Sequence, residues 1–221
     1  ALELAKKTFL WLEEHSHDPI NKGYYQSLNR DGSPILRDST FDSTSEIGYK
    51  DQNSSIHLLE AFTELYKVWP EKLVAERLEE LLLLIRNTIV NDRNYMNLFF
   101  EPDWTPVTFN EETKDIIKKH YYLDHVSFGH DVEIAYLMLE ASEILKRKDT
   151  EETLLKGKMM VDHAIENGWD KAFGGFYDGG YYFGADQSLT IVNSDKNWWS
   201  QAEGINTLLI MQHRLPNDSH N

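Results

Sequence analysis

None of the 221 residues is a cysteine. That excludes disulfide staples, thiolate nucleophiles and zinc held by thiolates. No apolar run reaches the roughly 18 residues of a membrane helix. The longest, "LLLLI" at 81–85, sits inside a charged helical pattern. Basic residues are scarce, 22 against 37 acidic ones, for a formal net charge of −15. Such a field repels phosphate backbones and anionic lipid, which argues against nucleic-acid and membrane-surface partners and is compatible with a neutral small molecule. The chain has no GxSxG elbow, P-loop, GxGxxG step ahead of a helix, or HExxH pair. His120, His125 and His130 are spaced by five and share no helical face, so no metal site is expected. The first residues, "ALELAKKTFLWLEEHSHD", carry acids throughout and no small-residue cleavage site, unlike a signal or transit peptide. A cytoplasmic location is the default expectation. The absence of a starting Met within a helical pattern leads to the expectation of a processed or truncated chain.

What is present is mostly helical periodicity. Apolar residues recur at three- and four-residue intervals over 2–16, 53–68, 72–91, 129–147, 151–167 and 197–213, which predicts six amphipathic helices. The acids at 111–115 and 149–152 read as solvated helix starts. Between the helices lie segments rich in Gly, Asn, Asp and aromatics, such as "NKGYYQSLNRDGSP" and "FGGFYDGGYYFG", which predict short strands and hairpins. With 41% hydrophobic residues the composition supports one substantial core over residues 1–221, a single domain.

The helices repeat. Asp18, Asp92 and Asp170 close the odd ones; Gly23, Asn97 and Gly175 follow five residues later, each ahead of two apolar or aromatic residues. The even helices align on Glu60, Glu133 and Glu203. A period of roughly 75 residues of helix–loop–helix units predicts stacked helical hairpins. The fold class is therefore all-α, of the (α/α)6-toroid type with short β-hairpin loops. A closed ring needs about twice this length, so about half to two-thirds of the barrel is expected here. An open half leaves two apolar edges bare, and self-association through these edges is one expectation.

In such a ring the starts of the inner helices face the central cavity. The three even helices place unusual side chains there: Asn53 and His57; His130 and Glu133; Trp198, Trp199, Gln201 and Glu203. His130 and Glu133 stand at i and i+3. A carboxylate beside an imidazole raises its pKa and fixes its orientation, which suits proton transfer near neutral pH. Read alone, the pair is either an acid/base couple or the polar start of a helix, and the same spacing at His57 and Glu60 has both readings. An indole beside a carboxylate is a common sugar-site arrangement, although one of two adjacent Trp residues is expected to plug the core. Asn53 is either a donor to a sugar hydroxyl or a helix N-cap.

Three stretches in order, "NSSIHLLEAFTELYKVWP", "SFGHDVEIAYLMLEA" and "NWWSQAEGINTLL", with the "GYYQSLNRDGS" hairpin, resemble the N-acylglucosamine 2-epimerase superfamily, most closely its cellobiose 2-epimerase branch. The resemblance covers essentially the whole chain and implies an (α/α)6 barrel that epimerises C2 of a reducing-end glucose or mannose unit with no metal or redox cofactor. One His removes the C2 proton to leave a cis-enediolate, and a second returns a proton on the opposite face. His130 matches one of that pair, with Glu133 as its carboxylate partner. His57 matches the His of ring opening and carbonyl stabilisation, and Asn53 its neighbouring substrate contact. Trp199 and Glu203 match a stacking Trp and a hydroxyl-binding acid. The branch's Trp six residues past the catalytic His is Tyr136 here, which leaves substrate preference open. The family's second catalytic His and a substrate-binding Arg match segments beyond this chain's two ends; His213 and His220 stand in no matching motif. The chain by itself is therefore expected to be inactive. Other readings that fit the same residues are an (α/α)6 glycoside hydrolase using Glu133 and Glu203, an aldose–ketose isomerase, and a non-catalytic sugar-binding scaffold.

Overall fold

The computed structural model describes residues 1–184 and 188–217; His220 lies outside them. Seven α-helices carry the described fold: α1 Leu2–His15, α2 Gln52–Val68, α3 Lys72–Leu84, α4 Lys114–His120, α5 Phe128–Ile144, α6 Thr150–Gly168 and α7 Trp198–Arg214. All six predicted helices are present. The third runs on through a π turn at Ile85–Ile89, which accounts for the periodicity persisting past residue 84. The short α4 falls outside the six periodic windows, although the acids at 111–115 read as a helix start and α4 begins at Lys114. Thr113 caps it by accepting from the Ile116 N–H, and only Ile117 and His120 are buried, too few to mark a periodic face.

Helices α5, α6 and α7 show why the array is layered. α5 is buried around most of its circumference, from Phe128 and Val132 to Ala141 and Ser142, and packs against α2, α3, α6 and α7. An all-round apolar helix is an enclosed one. The first and last helices keep apolar residues in solvent: Leu4 is 70% exposed on α1 and Leu209 61% on α7. Gly157 of α6 sits against the Ala135 carbonyl of α5, where a Cβ would come to 2.9 Å.

Two small sheets hold the inner helices at one level. β1 (Lys50–Asp51) pairs antiparallel with β2 (Phe99–Phe100), and β3 (Val126–Ser127) with β4 (Gly179–Tyr181), which pairs with β5 (Thr190–Asn193). β1 and β3 lead directly into α2 and α5.

The repeat is visible in three isolated antiparallel bridges, His17 to Tyr24, Val90 to Met96 and Trp169 to Phe176. These correct the alignment taken from sequence. The residues after the first bridge partners are Asp18, Asn91 and Asp170, so Asn91, not Asp92, is the equivalent of the two aspartates. Asp18 Oδ1 accepts from Ile20 N–H, Asn91 Oδ1 from Arg93 N–H and Asp170 Oδ1 from Ala172 N–H, each at 2.9 Å. The outer loops turn through left-handed pairs, Lys22–Gly23 and Gly174–Gly175, whereas the middle one, a residue shorter, uses Asn94 alone. That missing residue put the aspartate count out by one.

Candidate active site

Each inner helix starts at a polar N-cap position: Asp51 for α2, Ser127 for α5 and Asn197 for α7. Asp51 caps α2 by accepting from Ser54 N–H at 2.8 Å, so Asn53 is not the cap. Equal distances from these positions mark equal depths. Two residues in stand Asn53, Gly129 and Trp199; three in, Ser54, His130 and Ser200; six in, His57, Glu133 and Glu203. The expected alignment of Glu60 with Glu133 and Glu203 is therefore three residues out of register. Glu60 lies nine past its cap, level with Tyr136.

His57, Glu133 and Glu203 share one level, and His130, Trp199 and Tyr136 reach them from neighbouring levels of the same helices. The His130 ring lies 4.8 Å from Trp199 at 46°. Tyr136 donates its hydroxyl to Glu203 Oε2 at 3.0 Å. His57 Nδ1 and Glu60 Oε2 are 3.2 Å apart, both half exposed. Trp198 is 81% exposed and stays outside the cluster, as does Gln201, whose amide accepts from Phe176 N–H and donates to its carbonyl.

The local pairing of His130 differs from the expectation. Its Nδ1 is 2.7 Å from Ser127 Oγ; among the described residues its ring partner is that hydroxyl and not Glu133. A helical side chain leans toward the helix N-terminus, which brings His130 back over the cap residue. Glu133 instead meets the charges of His57, Glu203 and Glu60. The protonation pattern is likewise opposite to the simple pair. Burial, with His57 and His125 nearby, pushes His130 down to about 4. Burial pushes Glu133 up to about 7, aided by Glu203 and Glu60 and opposed by His57. At neutral pH the imidazole is thus a free base, and the carboxyl shares a proton with solvent.

Beside His130 opens a cavity of about 260 Å³, shared by Asn53 and Ser127 with Gln26, Glu46, Asp51, Gln52, Tyr122 and His125. Of these last six, sequence reasoning weighed only His125, as a metal ligand, and missed the other five. Gln26 lies inside the "GYYQSLNRDGS" hairpin, and Asp51–Gln52 immediately precede "NSSIH", so adjacency to the motifs was the available signal. A larger hollow of about 570 Å³ lies elsewhere, between the π turn that follows α3 and α6. It includes Arg86, which pairs with Asp149 at 2.9 Å, and belongs to the outer-helix seam. Among the described residues no group of three or more His, Cys, Asp or Glu is placed to hold a metal ion, and no helix is long and apolar enough to cross a membrane.

Helical hairpins whose inner helices present imidazole, carboxylate and indole groups around one locus form part of an (α/α) toroid. Residues 30–220 match the family model of N-acylglucosamine 2-epimerase (GlcNAc 2-epimerase), and the chain belongs to that family. The cellobiose 2-epimerase of Bacteroides fragilis is 28% identical over 208 residues, covering 93% of this chain and 47% of that protein. The structure of cellobiose 2-epimerase from Spirochaeta thermophila matches with a TM-score of 0.74 at 24% identity, over 98% of this chain and 48% of its own. A D-mannose isomerase structure matches with a TM-score of 0.76 at 20% identity, over 99% of this chain and 50% of its own. The chain spans about half the length of the curated relatives it matches.

Proposed function

We propose that this chain is one (α/α)-barrel domain segment of a carbohydrate 2-epimerase acting on a glucose or mannose unit at the reducing end of a cellobiose-like sugar. The observation that supports this reading is the convergence of His57, His130, Glu133, Trp199 and Glu203 around one locus at the starts of three inner helices. Trp199 stacks on the sugar, and Glu203, held by Tyr136, accepts a hydroxyl. With Nδ1–H donating to Ser127, His130 Nε2 keeps its lone pair and takes the C2 proton of the ring-opened sugar. The C2–H electron pair becomes the C1–C2 double bond, and the carbonyl π pair moves to O1. His57 and the protonated form of Glu133 donate to the enediolate oxygens as charge develops. The return proton, on the opposite face, comes from a group the family resemblance assigns to a segment outside this chain.

Deuterium incorporation at C2 of cellobiose or mannose in heavy water, followed by proton NMR on the protein carrying this chain, tests the assignment. Exchange is lost in His130→Ala; unchanged exchange removes His130 from the chemistry. A glycosidase is the second reading, because a carboxyl raised to about 7 beside Glu203 also suits a general acid. Release of glucose without a C2 epimer selects it.

A further inference from the structure

Each turnover of the proposed reaction leaves the C2 proton on His130 Nε2, and the ring must be neutral again before the next. Ser127 occupies its other nitrogen. Burial, with the charges of His57 and His125, disfavours the imidazolium. The proton therefore needs an acceptor close by, and His125 has the attributes of one. It lines the same cavity as Ser127 and His130, whereas Val126 turns into the core at 1% exposed, the alternation of an extended chain. Its Nδ1 lies 3.1 Å from the Tyr121 carbonyl. A carbonyl only accepts, so the neutral ring carries its hydrogen on Nδ1 and a bare lone pair on Nε2. Cδ2 faces Gly179 of β4, where a Cβ would come to 3.1 Å, so a larger residue there would press on the ring. Nε2 has no partner among the described residues, yet it is not sealed off as the partnerless His163 Nδ1 is. The ring is thus a free base with access to solvent.

We infer that His125 is a proton relay: its Nε2 lone pair takes the proton from His130 Nε2–H, directly or through one water, and passes it to solvent, which returns His130 to the free base. Only N–H and O–H bonds form and break along this path, and no electrons change hands. Relative basicity sets the direction. Burial, then His57 of α2 and His125, push His130 down to about 4. Because the charge of His125 is among those causes, His125 takes up a proton before His130 does, and transfer from His130 to His125 runs downhill. Burial lowers His125 as well, opposed by the Tyr121 carbonyl and by Asp178. Glu46 and Asp51 stand in the cavity wall, and no lysine or arginine is among the described residues there, so a transient cation meets no opposing positive side chain other than the imidazoles. The inference deepens the epimerase reading above and rests on it for the source of the proton.

The test is His125→Asn, which keeps an Nδ donor for the Tyr121 carbonyl and removes the base. In the protein carrying this chain, kcat for C2 exchange in heavy water falls about tenfold with KM unchanged, while the first turnover after rapid mixing keeps the parent rate. Added imidazole restores turnover in the variant and leaves the parent unchanged. Ring-nitrogen NMR of the unsubstituted chain reads the same device without substrate: His125 is the Nδ1–H tautomer at neutral pH, and it charges before His130 as the pH falls. Circular dichroism shows whether His125→Asn folds, and the tautomer and the charging order decide if it does not. Parental steady-state turnover in the variant, a loss that imidazole does not restore, an Nε2–H tautomer, or His130 charging first overturns the inference. Normal C2 exchange in His125→Asn sinks the relay alone. A parent with the expected tautomer and charging order but no C2 exchange sinks the epimerase reading alone.

Discussion

Gly129 decides how closely α7 approaches α5. A Cβ built there overlaps Ser200 Oγ outright and comes to 2.8 Å from both Ser200 Cβ and Trp199 Cη2. Helix propensity alone predicts that Gly129→Ala stabilises, by up to about 1 kcal/mol. The contacts predict the reverse. Forcing a methyl into a packed interface costs about 1–3 kcal/mol, and both partners lie on a helix fixed by Gln201 and by Thr207, which donates to the Val132 carbonyl at 2.8 Å. The balance is a loss of about 1–2 kcal/mol, or a fall of about 3–6 °C in Tm for a domain of this size. Thermal unfolding by circular dichroism reads it directly. The overlap is relieved by moving Trp199 off His130, so Trp emission changes in the folded variant as well. Gly129→Ala in a Ser200→Gly background recovers part of the loss. An alanine variant as stable as the parent, or more so, refutes the argument that this close approach seats the indole on the imidazole.

The two perturbed groups of the site give stability slopes of opposite sign. Glu133, raised from 4.5 to about 7, holds more protons folded than unfolded between those values, so its contribution is full below about 4.5 and is lost as pH rises through 7. Glu133→Gln therefore loses less stability than the parent between pH 5 and 7.5 in urea titrations; parallel curves contradict this. His130, lowered from 6.5 to about 4, contributes above 6.5 and loses that as pH falls toward 4. Its ring resonances stay those of neutral imidazole at pH 5.5, and a midpoint near 6.5 excludes the burial account. Ser127→Ala removes the hydroxyl that holds His130 Nδ1 and lowers C2 exchange by about tenfold through kcat rather than KM; Ser127→Thr restores most of it, and a KM-only effect argues against a positioning role. Lys50 is fully buried with Asp18 at 2.8 Å, and Lys50→Met costs about 3–5 kcal/mol because the buried carboxylate keeps its charge and loses its cation. Lys196→Met, at the exposed equivalent pairing with Asp170, costs about 1 kcal/mol or less, and equal losses in urea unfolding defeat the distinction.

Five of the six long helices were legible because each buries one face at helical spacing, and α5, buried around most of its circumference, by the length of its apolar stretch; the fold class followed from their repetition. Residues at the inner-helix starts were legible by type: His130 and Trp199 are unusual at a helix N-terminus, and Glu133 and Glu203 follow them by one turn. Pairing was not. Spacing places Glu133 one turn from His130, but it also places Ser127 one turn away on the other side, and the lean of helical side chains selects the serine. Gln26, Asp51 and Gln52 escaped notice because they are ordinary loop and cap residues in sequence. Only burial without a partner marks them, and burial is a property of the packed chain.

The repeat carries its electrostatics as a unit, which explains why sequence alignment by residue type went astray. Where the outer loop holds an aspartate, the residue just before the inner helix is a lysine, buried at Lys50 with Asp18 and exposed at Lys196 with Asp170. Each lysine also donates to a carbonyl of its own loop, Lys50 to Lys22 and Lys196 to Gly174. In the middle unit the loop residue is the neutral Asn91, and the position matching the lysines is Val126. There the tie is made from inside α5 instead: Asp131 Oδ1 accepts from Met96 N–H at 2.9 Å, as Gln201 does from Phe176 in the third unit. Asp131 is fully buried, and its carboxyl is held well above the usual range. A lysine at 126 would lack the carboxylate that neutralises its counterparts, and an aspartate at 91 would lack the cation. The backbone repeat therefore constrains pairs of positions rather than single residues. The same logic applies at the site, where one backbone depth holds His57, Glu133 and Glu203. Equivalence in the fold brings one imidazole and two carboxylates to a single locus, where Glu203 raises the pKa of Glu133 and His57 lowers it.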